Sequence, residues 1–226
     1  MYGKKQVDNM KNSSGFTLIE LVIVIVILGI LAVTALPRYL DVTEEAKNAS
    51  VEGVAGGFAT GILLVRGQWE AKGRTKEAGI NTIMYDGNRF FLTTPTTEET
   101  EKGYVSPGYP LDTSDSDSHA NQPGSLNSRR CLYIWNRILQ NPPKATDNFD
   151  EVTSSKNDMK YFVTKSGTGY DSKCHYYLVI SLDKNSDGNY KEPGTTTSKY
   201  KSFTYRPASG QVVSYINNDN SEQAGE

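Results

Sequence analysis

The chain has 226 residues, with 24 basic against 26 acidic side chains and a formal net charge of −2. This balance lacks the basic excess that phosphate binding requires, so we expect no nucleic-acid partner. Two cysteines and two histidines leave little material for a multi-ligand zinc or iron–sulfur site. Residues 21–36 carry no charge, so apolar residues are concentrated near one end and the chain is not an ordinary soluble globule.

The N-terminal residues predict a basic leader followed by a membrane span. Residues 1–15 contain three lysines and one aspartate, and residues 16–36 contain a single charge, Glu20. At about 1.5 Å per residue, such a helix reaches roughly 31 Å, the thickness of a bilayer core. A removed secretory signal is the alternative, although its apolar region is usually shorter. The positive leader predicts a cytoplasmic N-terminus and places the remainder outside the inner membrane.

Glu20 is unusual because a carboxylate inside a membrane helix is costly. In the simplest interpretation, Glu20 lies at the interface within reach of lipid headgroups. In a more specific interpretation, the chain is cut between Gly15 and Phe16, and the new α-amino group of a neighbouring copy neutralises Glu20. An ion pair of this kind would fix the register of adjacent subunits.

Residues 15–22, GFTLIELV, resemble the prepilin signal of type IV pilins. Residues 37–46 are similar to pilins of the mannose-sensitive haemagglutinin (MSHA) class, and the resemblance weakens beyond about Ala59. It implies cleavage after Gly15 by a prepilin peptidase, methylation of the Phe16 amine, subunit docking through Glu20, and assembly on an inner-membrane platform. Type II secretion pseudopilins share the same signal.

A second helical pattern follows the span, and we predict one helix over residues 16–73. Apolar residues recur every three or four positions, which draws one stripe on a helix: Val51, Val54, Phe58, Ile62, Val65 and Trp69. Pro37 lacks a backbone N–H and predicts a kink, as in the pilin family. Five glycines lie between Gly53 and Gly67. They favour either close packing against a sheet or local unwinding on assembly.

Residues 74–226 predict a globular α+β head with a mainly antiparallel sheet packed on the long helix. Asp86-Gly87 indicates a hairpin over residues 80–93, and residues 128–140 have helical spacing. Further strands are predicted at 160–165, 174–182, 199–205 and 211–216. Residues 94–127 are rich in small and polar residues, so we expect an exposed loop there.

Cys131 and Cys174 would both lie in an oxidising compartment. A structural disulfide is the expected pairing, and the loop-entropy estimate gives it roughly 4 kcal/mol. Two buried free thiols are the alternative. No Cys-x-x-Cys pattern accompanies the pair, so a redox function is not expected.

Residues 183–189 resemble the first half of an EF-hand calcium loop. Oxygen-bearing side chains alternate, and a glycine follows the third of them; the candidate ligands are Asp183, Asn185, Asp187 and Asn189. A complete EF-hand loop has a glutamate five residues after the last of these ligands. Here Gly194 occupies that position, and the nearest glutamate, Glu192, lies two residues earlier. A tight hairpin turn explains the same residue types.

The remaining polar clusters do not predict catalysis. Asp112, Asp115, Asp117 and His119 are interpreted as a solvated loop, and no Gly-rich phosphate loop or nucleophile motif is present in the sequence. We therefore predict a non-enzymatic subunit, a major or minor pilin of the MSHA kind serving surface attachment. The alternatives are a secretion pseudopilin and a singly anchored periplasmic binding module.

Overall fold

The computed structural model describes residues 16–113, 121–153, 158–194 and 199–216. The chain divides into two compact units, Met1–Glu45 and Ala46–Glu226. The fold class is α+β, as predicted, with a long N-terminal helix and mainly antiparallel sheets.

Helix α1 covers Leu18–Ala71, two residues shorter at each end than predicted. Its C-terminal end is fixed by Gly73, which has φ +78° and lies in the left-handed region. The Gly73 amide donates to Glu70 (3.0 Å) and the Arg74 amide donates to Trp69 (3.0 Å). These two bonds form a Schellman motif, which satisfies the last carbonyl groups of the helix. The bounds of α1 include Pro37, and the kink there stays a prediction.

Within the second unit, α1 buries the predicted stripe. Its fully buried positions follow helical spacing: Val51, Ala55, Phe58, Ile62, Val65 and Trp69. Phe58 is the centre of this contact, with its ring centroid 5.1 Å from that of Tyr176 and 5.5 Å from that of Phe203. Aromatic contacts of this kind add to the burial of apolar area, so the stripe anchors the helix to the head.

Two sheets form the head instead of the single sheet expected. The first is antiparallel in the order β1-β2-β3-β4, with strands Lys76–Glu77, Ile80–Tyr85, Asn88–Leu92 and Pro110–Asp112. The second has the order β5-β6-β7-β8-β9, with strands Ala145–Thr146, Tyr161–Ser166, Lys173–Leu178, Ser202–Arg206 and Gln211–Tyr215. Only the pairing of β5 with β6 is parallel among the strands described.

The second sheet is covered on both faces because its residues alternate in direction. On β6 and β7, the alternate residues Tyr161, Val163 and Tyr176 face the main core with α1. Phe162 and Tyr177 face a smaller cluster on the other side. The strand predicted at 174–182 ends at Leu178, where a short 3-10 turn begins.

Three short helices complete the head: α2 Thr97–Glu101, α3 Ser128–Ile138 and α4 Phe149–Thr153. Helix α3 confirms the prediction for residues 128–140. It begins after Asn127, whose side chain caps the amide of Arg130 at 2.8 Å. Trp135 lies on its buried face and stacks on Tyr176 with centroids 5.1 Å apart.

Segment 94–127 is partly buried, in contrast to the exposed loop expected. It contains α2 and β4, and Val105 and Leu111 are fully buried in it. Most residues of the segment are polar, so its sequence does not indicate that β4 lies within it. The pairing of β4 with β3 is also too distant in sequence to follow from residue spacing. Residues 114–120 lie outside the described part.

The glycines of α1 fall into two groups. A Cβ built on Gly61 would lie 2.4 Å from Ile138 Cγ2 and 3.0 Å from the Ile138 carbonyl oxygen. Gly61 therefore allows α3 to approach α1 closely. At Gly53, Gly56 and Gly67 a Cβ would meet no heavy atom of the described residues within 4 Å. Close packing within the chain explains Gly61 but not these three.

The two groups predict opposite effects of alanine on stability. Gly61→Ala should lower the free energy of unfolding by about 1–3 kcal/mol, because it forces α3 away from α1. Gly56→Ala should raise it by up to about 1 kcal/mol, because alanine favours the helix and meets open space. Denaturant titration of the full chain in detergent measures both, and equal effects would contradict this packing.

Candidate assembly site

Glu20 lies in the first turn of α1 and accepts hydrogen bonds from Thr17. The Thr17 amide donates to Glu20 Oε2 at 2.8 Å, and the Thr17 hydroxyl donates to the same oxygen at 2.7 Å. The Glu20 amide donates back to the Thr17 hydroxyl at 3.3 Å. This reciprocal arrangement is a capping box, which satisfies amide groups left without partners at a helix start.

Sequence analysis missed the partner of Glu20 within its own chain. The Thr-x-x-Glu spacing that marks a capping box is present at residues 17–20, but the carboxylate was considered only with headgroups or with another copy. The contact directs the carboxylate toward Thr17 at the start of the helix. Gly15, the other residue of the expected cleavage site, lies outside the described residues. Cleavage, methylation of Phe16 and docking through Glu20 stay predictions.

In the first unit, the apolar part of α1 is not buried by other described residues of the chain. Residues Leu18–Leu36 have a mean hydropathy of 3.0, and none of this segment is buried within the chain. A segment of this length and composition is compatible with a membrane span or with burial among other helices. A second segment, Val42–Ala71, is also long and apolar enough to span a membrane, but it carries the buried stripe that packs into the core of the head.

Comparison with known proteins gives matches to the N-terminal signal and to pilins. Residues 10–36 match the family described as the prokaryotic N-terminal methylation motif. The type IV narrow pilus major component of Thermus thermophilus is 46% identical over 61 residues, which is 27% of this chain and 51% of that protein. A fimbrial protein of Neisseria meningitidis serogroup B is 40% identical over 91 residues, 40% of this chain and 46% of the relative.

The type IV major alpha-pilin of Moraxella bovis is 46% identical over 61 residues, 26% of this chain and 38% of that pilin. Part of this chain is therefore similar in sequence to type IV pilins. The alignments span about half or less of these curated relatives. No solved structure matches the chain significantly.

A disulfide joins Cys131 on α3 to Cys174 on β7, as expected from the sequence. Their Cα atoms are 5.6 Å apart, and both residues are fully buried. The Tyr176 hydroxyl also donates to the Cys131 carbonyl oxygen at 3.0 Å. The bond therefore holds α3 against the centre of the second sheet, a structural role.

The candidate calcium loop has its own internal hydrogen bonds. Asn185 Oδ1 accepts from the amides of Asp187 (3.1 Å) and Asn189 (2.9 Å). Asp183 Oδ2 accepts from the Tyr200 hydroxyl at 3.0 Å and pairs with Lys199, and these contacts lower the pKa of Asp183. Two of the four candidate ligands thus bond to protein donors, and both calcium binding and the turn-only interpretation stay predictions.

Asp112, interpreted as part of a solvated acidic loop, is instead fully buried. Its Oδ2 atom forms an ion pair with Arg130 Nε at 2.8 Å, and its Oδ1 atom accepts from the Thr113 amide at 2.8 Å. A buried carboxylate needs such a partner. The other members of the acidic group, Asp115, Asp117 and His119, lie outside the described residues.

His175 is a buried titratable residue on β7. It contacts the Ser166 hydroxyl through Nε2 and lies 3.5 Å from the Tyr177 hydroxyl through Nδ1. Burial, together with the charge of Lys173, lowers the pKa of His175 to about 4. The imidazole is therefore neutral at neutral pH.

The low pKa of His175 predicts that acid weakens the head. Between pH 6.5 and 4 the unfolded chain binds a proton at this histidine and the folded chain does not, so stability is complete above pH 6.5 and falls toward pH 4. The loss should reach about 3 kcal/mol. His175→Gln should remove this part of the pH dependence, as measured by urea unfolding at pH 7, 5 and 4. An unchanged slope in the variant would contradict the prediction.

The turn interpretation of residues 183–189 predicts stability without calcium. Asn185→Ala removes the acceptor of two amides and should lower the free energy of unfolding by about 1 kcal/mol. Asn189→Ala is the matched control and should change it little. Millimolar calcium or a chelator should leave the melting temperature unchanged. A calcium-dependent rise that Asp187→Ala abolishes would establish the metal site instead.

Proposed function

We propose that this chain is a structural subunit of a type IV pilus, a major or minor pilin that polymerises after its leader is removed. The single observation that carries the proposal is the helix Leu18–Leu36, which is apolar on every side and wholly exposed in one copy. A bilayer covers such a helix before assembly, and the same segment of other copies would cover it in a filament. The names of the relatives, pilus components and fimbrial proteins, support this proposal.

The N-terminal geometry supports a defined way for copies to meet. Cleavage between Gly15 and Phe16 would leave an α-amino group one residue from Thr17, and methylation would keep its positive charge. Glu20 already faces this end of the helix through its bonds to Thr17. Between copies, the Glu20 carboxylate and the Phe16 ammonium of a neighbour would form an ion pair in an apolar surrounding, where charges interact strongly.

The outer side of α1 in the second unit offers a further contact surface for polymerisation. Leu63 and Leu64 are 60% and 52% exposed, and Gly53, Gly56 and Gly67 are open to the outside among the described residues. Small residues on a helix allow the backbone of another helix to approach closely. The Thr60 hydroxyl is satisfied within the helix, since it donates to the Gly56 carbonyl oxygen at 2.8 Å.

The finer assignments rest on sequence resemblance. Residues 37–46 support the MSHA class, and with it a role in surface attachment. The prepilin peptidase and an inner-membrane platform are the expected assembly partners. The chain would lie in the inner membrane as a single-pass protein with a cytoplasmic N-terminus before it enters the extracellular filament. A pseudopilin remains the alternative of the same class, and a periplasmic binding module that never polymerises is the alternative of a different class.

Replacement of Glu20 tests the proposal. Glu20→Ala removes the acid that docking requires, so the amount of the variant in sheared filaments should fall at least about ten-fold, while the amount in the membrane stays the same. Glu101→Ala, which removes an exposed acid from α2 in the head, is the matched control and should assemble normally. Filament content is measured by immunoblot after shearing.

Mass spectrometry of the mature chain accompanies this experiment. A mature N-terminus at Phe16 with a methylated amine is expected in all three proteins, which shows that the variants were processed. A start at Met1 or after Ala35 would contradict the processing. Normal filament content of Glu20→Ala would leave the simple membrane anchor as the better explanation, and a short filament confined to the periplasm would favour the pseudopilin.

A further inference from the structure

A chain of hydrogen-bonding side chains connects a partly exposed serine to a buried histidine on the second sheet. His175 on β7 contacts the Ser166 hydroxyl through Nε2 and lies 3.5 Å from the Tyr177 hydroxyl through Nδ1. The Tyr177 hydroxyl in turn donates to the Gly194 carbonyl oxygen at 3.4 Å. A serine on a histidine, with a third group that orients the histidine, is the arrangement of an activated nucleophile.

The direction of each hydrogen bond follows from the last one. Because the Tyr177 hydroxyl donates to Gly194, its oxygen is left to accept from His175 Nδ1–H. We therefore assign the proton of the neutral imidazole to Nδ1. Nε2 is then the acceptor, and it takes the hydrogen bond of the Ser166 hydroxyl. Ser166 is thus bonded to the basic nitrogen of His175.

The serine is accessible and its base is not. Ser166 is partly exposed at the end of β6, whereas His175 is only 2% exposed. Burial lowers the pKa of His175 to about 4, so Nε2 is free to accept a proton at neutral pH. The same burial makes His175 a weaker base than an exposed histidine, which suits a single transfer to Ser166 better than rapid turnover.

The turn after Ser166 adds little bulk beside the hydroxyl. Residues 167–169 are exposed, and Gly167 has φ +75°. A Cβ on Gly167 would lie 2.2 Å from the Asp171 carbonyl oxygen, so this tight turn requires glycine. A Cβ on Gly169 would meet no heavy atom of the described residues within 4 Å. A reagent can therefore approach Ser166 from the side of the turn.

Lys173 supplies a positive charge on the same side of the sheet as the serine. It is the direct cross-strand partner of Ser166, so both side chains point to one face. Its charge also contributes to the low pKa of His175. Arg206 and Asp171, the other charges near this turn, form an ion pair of 2.7 Å with each other. One remaining ammonium group suits the single negative oxygen that forms when a hydroxyl attacks a carbonyl carbon.

We propose that Ser166, with His175 as its general base, is a modification site that takes an acyl group from an activated ester or thioester. The Ser166 oxygen would form a bond to the carbonyl carbon while its proton passes to His175 Nε2. The bond from that carbon to the leaving oxygen or sulfur then breaks, and the proton departs with the alcohol or thiol. The acyl group remains on Ser166 as an ester. Tyr177 is a positioning residue, because it holds the imidazole.

The inference goes beyond the proposed filament role and does not depend on it. One copy holds the nucleophile, the base and the positioning hydroxyl, so the transfer needs no neighbouring subunit. The modified serine would carry an apolar group at the exposed end of β6, where the unmodified chain has a hydroxyl.

Acetylation of the full chain in detergent with p-nitrophenyl acetate, an activated acyl ester, tests the proposal. Peptide mass spectrometry at neutral pH gives the acetylated fraction of each serine with time. Ser209 is the comparison, since it is exposed and lies outside the relay. Ser166 should react at least about 100-fold faster than Ser209, because general base catalysis contributes at least about this much.

Three variants separate the relay from the fold. His175→Ala removes the base and should slow acetylation of Ser166 about 100-fold, and added imidazole should restore part of the rate. Tyr177→Phe should slow it less, and should shift the 15N NMR signals of His175 toward the Nε2–H tautomer. Thr168→Ala, in the same exposed turn, is the matched control and should keep the Ser166 rate. The Ser209 rate should stay the same in all three, and thermal melting confirms that each is folded.

The comparison of Ser166 with Ser209 in the unaltered chain needs no variant, so it tests the proposal even if His175→Ala does not fold. Equal rates at the two serines would overturn the proposal. An unchanged Ser166 rate in folded His175→Ala would also overturn it. Filament content enters neither measurement, so these outcomes are independent of the proposed function.

Discussion

An apolar helix that its own chain leaves uncovered is the constraint on which the rest of this protein depends. Residues Leu18–Leu36 expose large aliphatic side chains on all sides, and each would cost free energy in water. Another apolar surface must therefore cover this helix, and under the proposed function a membrane and then a polymer would supply it. The head buries its own hydrophobic core, so the uncovered apolar surface belongs to the first unit.

The single acid of the apolar segment illustrates how one residue can serve two states. Within one copy, the Glu20 carboxylate completes the first turn of α1 through Thr17. An ammonium group from another copy would find that carboxylate already oriented. Because the local bonds satisfy the carboxylate before assembly, its presence in the apolar segment does not by itself show that a partner is bound.

Sequence patterns predicted the local elements well and the non-local ones poorly. Helical spacing identified the buried stripe through Phe58 and Trp69, and Asp86-Gly87 identified a hairpin whose turn has the positive φ angles such a pair favours. Strand β4 of the first sheet contains a proline and pairs with β3 across a long connection, so its sequence did not indicate it. The ion pair of Asp112 with Arg130 is likewise non-local, and no spacing in the sequence reveals it.

The disulfide gives the head a mechanical property. Within the second unit, Gly61 of α1 packs on Ile138 of α3, and α3 is bonded covalently through Cys131 to the central strand β7. A tensile load carried along α1 would pass through α3 into the sheet. The disulfide then prevents a pulling force from extending the segment between the two cysteines, which are 43 positions apart. A stretched subunit would lengthen only outside that loop, and strand β6 within it would keep its place beside β7.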